Sequence, residues 1–360
     1  MSLSDARAEA SPSLPPYPWL FGPRTDMLTF AGSAIVAVSV VIGAQTVGRL
    51  NSDTPEWLWV TSVLLLDVAH VYATGFRVYF DVQELKCRPW LYVLTPVLTF
   101  GVACAVWSES HAGFWRVLAY LAVFHFVRQQ YGWVMLYRRR GNEQDSVGYW
   151  LDTLTIYAAT VFPLLWWHCH LPRKFWWFLP GDFFALPVRV ASVLEPVYWL
   201  ILIGWCIYRG RGYLQRAQGT PAIVSPGRDV VIISTVVCWY LGIVALNSDL
   251  AFTVTNVIIH GVPYIVLVYW FQRRRGDGRG LRRSRLAIFL GAIWFLAYAE
   301  ELLWDNGLWH ERPWLFGRMW QLSGAQDWLV PLLVVPQVTH YVLDGFIWKR
   351  RVRGDFAVES

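Results

Sequence analysis

The chain alternates between long apolar runs and short polar connections. A helix needs roughly 20 mostly apolar residues to cross the hydrocarbon core of a membrane. Runs of about this length cover residues 27–47, 57–79, 90–108, 113–136, 149–170, 188–208, 229–247, 249–271, 284–304 and 328–348. The pattern predicts an all-α, polytopic membrane bundle of about ten transmembrane helices, in one domain over residues 27–349.

The two ends of the chain differ from this domain. Residues 1–26 are polar and rich in proline, and they lack the basic start and short apolar run of a signal peptide. We interpret them as an N-terminal tail. Residues 350–360 are interpreted as a basic and polar C-terminal tail.

Composition and charge agree with a membrane protein. Hydrophobic residues make up 56% of the chain and charged residues only 16%. The net charge of +6 does not indicate nucleic-acid binding, because the basic residues are clustered in every second connection between apolar runs. By the positive-inside rule this predicts both termini in the cytoplasm, and we expect an integral protein of the bacterial inner (plasma) membrane, surrounded by membrane lipids.

Four histidines lie inside predicted spans, one on each of four helices that run from the outside inward. They are His70, His125, His260 and His340, in the second, fourth, eighth and tenth spans, and each lies about 10–13 residues into its span. At 1.5 Å per residue they share one depth within about a helical turn. Neutral imidazole is the commonest metal ligand in proteins, so the set predicts a buried metal or haem site.

Polar side chains accompany these histidines. An imidazole that binds a metal usually donates its other ring N–H to a carboxylate, an amide or a carbonyl. Polar residues of these types lie near the histidines along the helices, and we expect them to orient the rings: Asp67, Gln129, Asn256, Gln337 and Asp344. Ionisable residues at this depth are costly in lipid and indicate function.

Two further polar residues are candidates for a direct role in chemistry. Tyr264 follows His260 by one turn, and Arg128 follows His125 by three residues. Arg128 could contact a bound anion, or pair with Asp67 or Asp344. Glu300, Glu301 and Asp305 are expected at a water-exposed outer end of the ninth span.

The short motifs around the histidines resemble the Brp/Blh-type β-carotene 15,15′-dioxygenase family. The segment from Val335 through His340 and Asp344 to Lys349 is similar to the last helix of that family. The segments around His260 and His125 resemble its Ile-His-x-x-x-His and Ile-His-Phe motifs, with Tyr264 in place of the second histidine. The resemblance implies Fe(II) held by intramembrane histidines and a hydrophobic lipid, isoprenoid or carotenoid-type substrate.

Three functions therefore remain open on the sequence. The first is a membrane-embedded, dioxygenase-like oxidoreductase that uses non-haem iron. The second is an electron-transfer protein that binds haem b, with one axial ligand per helix. The third is a proton-coupled transporter in which His70, Asp67, Asp344 and Arg128 form a charge relay.

Overall fold

The computed structural model describes residues 17–220, 222–275, 282–320 and 324–348. Within these ranges the regular structure is helical and contains no strand, which confirms the predicted all-α bundle. Most of both predicted tails lies outside the described residues. So does the whole basic segment that begins at residue 349, after the last predicted span.

Ten long helices follow one another among the described residues, each at a predicted span. Their bounds are α1 Pro23–Thr46, α2 Glu56–Arg77, α3 Pro89–Glu109, α4 His111–Arg140, α5 Ser146–Cys169, α6 Val188–Ala217, α7 Pro226–Ala245, α8 Asp249–Arg275, α9 Arg282–Trp304 and α10 Gln326–Ile347. Short helical turns at Val82–Cys87 and Pro313–Phe316 lie in connections. The first helix begins at Pro23 rather than at residue 27.

Eight of the described helices are long and apolar enough to cross a membrane, which identifies the chain as an integral membrane protein. The two long helices that are not among these eight are α4 and α5, with 30 and 24 residues. Both are long enough to span, but α4 carries several polar residues in its middle, including Arg128 and Gln129. The count of ten spans and the cytoplasmic termini remain predictions.

Helix α8 lies at the centre of the bundle. In its most apolar stretch 83% of the residues are buried, more than in any other candidate span. It packs on α1, α2 and α7. At Gly261 a Cβ atom would lie 2.9 Å from the backbone oxygen of Leu66, so the absence of a side chain allows α2 and α8 to approach closely.

Two of the histidine-bearing helices are irregular near the histidine. In α2, residues Val60–Val68 form a π-helical stretch that ends two residues before His70. In α10, the helix is interrupted at Val334 and restarts at Val335, with Pro336 in its first turn. π-Helical turns are frequently found at functional sites, since they change which side chains face a neighbouring helix.

A buried ion network joins the basic ends of α4, α5 and α7. The Asp152 carboxylate lies 2.8 Å from Arg138 and 3.1 Å from Arg228, and it also accepts a hydrogen bond of 3.0 Å from the indole of Trp205. Glu143 pairs with the same two arginines. Buried charges require such partners, so the network fixes these helix ends relative to one another.

Candidate metal centre

The four intramembrane histidines come together in one buried cluster. His70, His125, His260 and His340 are each at most 3% exposed, although they arrive from four different helices. In five of the six pairs that these four rings form, the ring centroids lie between 4.6 and 6.4 Å apart. The sequence-based prediction of one shared depth thus corresponds to one shared site.

The imidazole nitrogens face one another in two close pairs. Nε2 of His260 lies 3.1 Å from Nε2 of His70, and Nε2 of His340 lies 3.1 Å from Nε2 of His125. Potential ligand nitrogens of His70, His125 and His260 all lie within 4.8 Å of one another. Nitrogens bound at about 2.0–2.1 Å to neighbouring positions of one ion lie roughly 3 Å apart, and both Nε2 pairs have that spacing. His340 is not part of the mutually close group of three and joins it through Nε2 of His125.

The hydrogen bond of His70 leaves its inward-facing nitrogen available as a ligand. Its Nδ1 contacts the backbone oxygen of Asp67, and since a carbonyl can only accept, Nδ1 carries the hydrogen. Nε2 of a neutral ring then holds a lone pair directed at the cluster. The Asp67 carboxylate lies 3.7 Å from the same Nδ1, so Asp67 orients His70 mainly through its backbone.

The ring of His340 is oriented by a side chain of another helix. Its Nδ1 lies 2.6 Å from the hydroxyl of Thr74 on α2, and that hydroxyl lies 2.9 Å from the phenol oxygen of Tyr264 on α8. The phenol hydroxyl of Tyr264 is thus linked to His340 through Thr74, and the ring of Tyr264 also contacts the rings of His340 and His70, with centroids 5.0 and 5.7 Å apart. Thr74 follows His70 by one turn of α2, but spacing along one helix could not show that it contacts α10.

Aromatic rings cover two of the histidines. The ring of His260 stacks on Phe126 with centroids 3.5 Å apart, and the ring of His125 stacks on Tyr341 at 4.5 Å. Gln337 donates a hydrogen bond of 2.7 Å to the hydroxyl of Tyr341, so it acts on His125 through that ring. Phe126 follows His125 in the sequence and Tyr341 follows His340. Only the fold shows that each ring packs on a histidine of another helix.

The other predicted orienting residues have different partners. Gln129 donates 2.8 Å to the backbone oxygen of His260, which ties α4 to α8 beside the cluster. The Asn256 amide donates to the backbone of Phe252 within α8, and Asp344 accepts 2.8 Å from the indole of Trp348. Nδ1 of His260 has no hydrogen-bond partner among the described residues.

Arg128 lies on the exposed face of α4, away from the histidine rings. Its guanidinium donates to the hydroxyl of Tyr157 and lies 4.7 Å from the ring of Tyr131. The expected pairing with Asp67 or Asp344 is not formed. Gln129, the next residue of α4, faces inward, because successive residues of a helix differ in direction by about 100°.

The acidic residues at the outer end of α9 are not the water-exposed terminus expected from the sequence. Glu300 is only 8% exposed and accepts hydrogen bonds from the hydroxyl of Tyr72 at 2.6 Å and the indole of Trp304 at 3.2 Å. Asp305 is 2% exposed and accepts from the backbone of Glu311 and Arg312. The connection after α9 folds back over Asp305, whereas Glu300 is covered by side chains of α2 and α9.

An apolar groove runs along the membrane-facing surface beside the cluster. It has a volume of about 400 Å³ and is lined by α3, α4 and α10, with Thr95 and Thr99 as the only hydroxyl-bearing residues of its lining. Leu121 in the groove lies one turn before His125 on α4, and Val338 lies two residues before His340 on α10. The groove therefore lies on two of the helices that carry the histidines, and no histidine is among the described residues of its lining.

No family model, curated protein or solved structure matches this chain.

Proposed function

We propose that the chain is a membrane-embedded, metal-dependent oxidoreductase of the non-haem iron, dioxygenase-like class that acts on a hydrophobic lipid, isoprenoid or carotenoid-type substrate. The observation that carries the proposal is the convergence of four buried imidazoles with Nε2 pairs at 3.1 Å. Four histidines on four helices would hold Fe(II), and the resemblance of their motifs to the Brp/Blh-type family supports iron as the metal.

The close packing of the rings favours a single ion over haem b. Two axial ligands of a haem stand on opposite faces of a macrocycle that must fit between the helices. Here all four rings lie within 6.4 Å of their neighbours in the cluster, and Phe126 and Tyr341 close two of its sides. A single ion does not need the space between the helices that a macrocycle would occupy.

The surroundings of the cluster support a hydrophobic substrate. The groove between α3, α4 and α10 opens to the membrane-facing surface, so an apolar molecule dissolved in the bilayer can enter without crossing water. Its lining offers almost no hydrogen-bonding groups, which selects for hydrocarbon. An integral protein of the bacterial inner membrane would meet lipid, isoprenoid and carotenoid molecules in this position.

The residues around the cluster have separate roles in this proposal. When bound, Fe(II) would supply the one-electron and oxygen-activating chemistry that protein side chains lack. The Asp67 carbonyl holds the proton of His70 on Nδ1. Thr74 positions His340, and the phenol hydroxyl of Tyr264 holds a proton within hydrogen-bond distance of the Thr74 hydroxyl. The buried ring of Phe126 and the half-buried ring of Tyr341 shield the histidines from water.

Arg128 takes no part in this arrangement. Its contacts with Tyr157 and Tyr131 also count against the transporter alternative. A charge relay through Arg128, Asp67 and Asp344 would need contacts between these groups. The geometry therefore favours the metal site over the relay.

Metal analysis of the purified protein, combined with oxygen consumption in the presence of isoprenoid, carotenoid, sterol and acyl compounds, tests the proposal. We expect close to one iron per chain and substrate-dependent oxygen uptake that is lost in His260→Asn. His111→Asn, at the exposed outer end of α4, is the matched control and should keep both. Activity in a preparation free of iron would overturn the proposal, and proton flux into liposomes without bound metal would favour the transporter.

A further inference from the structure

A pocket, separate from the apolar groove, lies at the end of the bundle opposite to the buried carboxylates of Glu300 and Asp305. It has a volume of about 410 Å³ and lies between the chain segment 17–23 and the C-terminal ends of α4, α6 and α8. These helix ends carry the basic residues that predict the cytoplasmic side. The pocket is therefore at the membrane surface rather than in the hydrocarbon core.

Three arginines from three helices line this pocket. Arg140 is the last residue of α4, Arg216 lies next to the end of α6, and Arg274 lies next to the end of α8. None of the described residues that line the pocket is acidic. Its charge therefore selects for an anion, and guanidinium groups match phosphate oxygens in geometry.

The remaining lining is aromatic and aliphatic. The guanidinium of Arg216 lies 4.3 Å from the ring of Tyr17, and Trp19, Phe21, Ile223 and Val224 complete the wall. Tyr and Trp side chains are enriched at the membrane interface, because each combines an apolar ring with a polar group. Such a wall suits an amphiphile better than a small hydrated anion.

The wall of the pocket is held in place by hydrogen bonds. The buried carboxylate of Asp26 accepts from the backbone N–H groups of Leu20 at 2.8 Å and Phe21 at 2.9 Å, and from the hydroxyl of Tyr137 at 2.7 Å. Arg140 donates 3.1 Å to the backbone oxygen of Trp19. A preformed wall loses little conformational entropy when a ligand binds.

We propose that this pocket binds the phosphate headgroup of an anionic phospholipid from the cytoplasmic leaflet. Basic pockets between transmembrane helices on the cytoplasmic side are sites where anionic headgroups are recognised. The three arginines would contact the phosphate, and the apolar wall would contact the glycerol backbone and the start of the acyl chains. The site is separate from the histidine cluster and does not depend on the function proposed for it.

The test compares lipids on the purified full-length chain in neutral detergent. Binding of phosphatidylglycerol, phosphatidylcholine and inorganic phosphate is followed by native mass spectrometry and by the shift in thermal unfolding. We expect phosphatidylglycerol to be retained and to raise the melting temperature, with little effect of phosphatidylcholine. An equal shift with inorganic phosphate would overturn the lipid assignment, because it would show that an anion alone is bound.

Substitutions then locate the site. In the triple variant Arg140→Gln, Arg216→Gln, Arg274→Gln, phosphatidylglycerol affinity should fall roughly 100-fold, as expected for the loss of three basic contacts. The control Lys86→Gln, Arg211→Gln, Arg273→Gln removes the same charge from exposed positions at the same end of the bundle. Equal losses in both variants would show attraction by surface charge alone and would contradict the pocket. If the triple variant does not fold, Arg274→Gln, at an exposed helix end, should still lower the affinity severalfold, and an unchanged affinity would count against the proposal.

Discussion

Nε2 of His70 and Nε2 of His260 lie 3.1 Å apart, although the two residues are separated by 190 positions in the chain. The contact depends on the close approach of α2 and α8, which Gly261 permits beside the backbone of Leu66. One small residue thus determines how near two of the proposed ligands come to each other.

Gly261→Ala should separate these two helices. The added Cβ atom would lie 2.9 Å from the Leu66 oxygen, which is part of the backbone and cannot turn away. We expect destabilisation of about 1–3 kcal/mol from overpacking, together with a loss of bound metal. Metal content and thermal unfolding are the measurements. Gly132→Ala, where a Cβ atom meets nothing within 4 Å, should leave both unchanged.

Thr74→Val should weaken metal binding while preserving the fold. Valine has nearly the same shape but cannot hydrogen-bond to Nδ1 of His340, which the Thr74 hydroxyl contacts at 2.6 Å. Loss of such an orienting contact typically lowers metal affinity about 10–100-fold. Competition with a chelator measures the affinity. Thr61→Val, on the exposed face of α2, serves as the control, and equal effects of the two variants would argue against an orienting role for Thr74.

Ala103→Trp should fill the apolar groove between α3, α4 and α10. We expect metal content to remain at the level of the unmodified protein and substrate-dependent oxygen uptake to fall at least tenfold, because an apolar molecule can no longer reach the histidines. Val97→Trp places the same side chain on the exposed surface of α3 outside the groove lining. Unchanged uptake in Ala103→Trp would show that substrate enters by another route.

Asp152→Ala should destabilise the protein without removing metal. The variant removes one of the two carboxylates that pair with both Arg138 and Arg228, which are 5% and 0% exposed, and leaves Glu143 as their shared partner. Breaking a buried ion pair costs about 3–5 kcal/mol when the remaining charge has no partner, and the retained contact with Glu143 should lower the loss below that range. Thermal unfolding of the variant is compared with that of Glu109→Ala at an exposed helix end. A melting temperature equal to that of the control would contradict the structural role of the network.

The sequence was sufficient for the helices and for the histidine set, because apolar length and the cost of burying an ionisable group are both local properties. It was insufficient for the orienting contacts. Thr74 reaches His340 and Gln129 reaches the backbone of His260 only after α2, α4, α8 and α10 have packed. Arg128, one residue from Gln129, faces outward because successive residues of a helix differ in direction by about 100°. Asp305 is buried by a connection whose path no periodic pattern predicts.

The central claim is that four histidines hold one metal ion, and metal content per chain tests it most directly. Protein purified without added chelator should contain close to one iron, and the single variants His70→Asn, His125→Asn, His260→Asn and His340→Asn should each lose most of it. His111→Asn should retain it. A folded protein that contains no stoichiometric metal, or four variants that all keep the metal, would contradict the account.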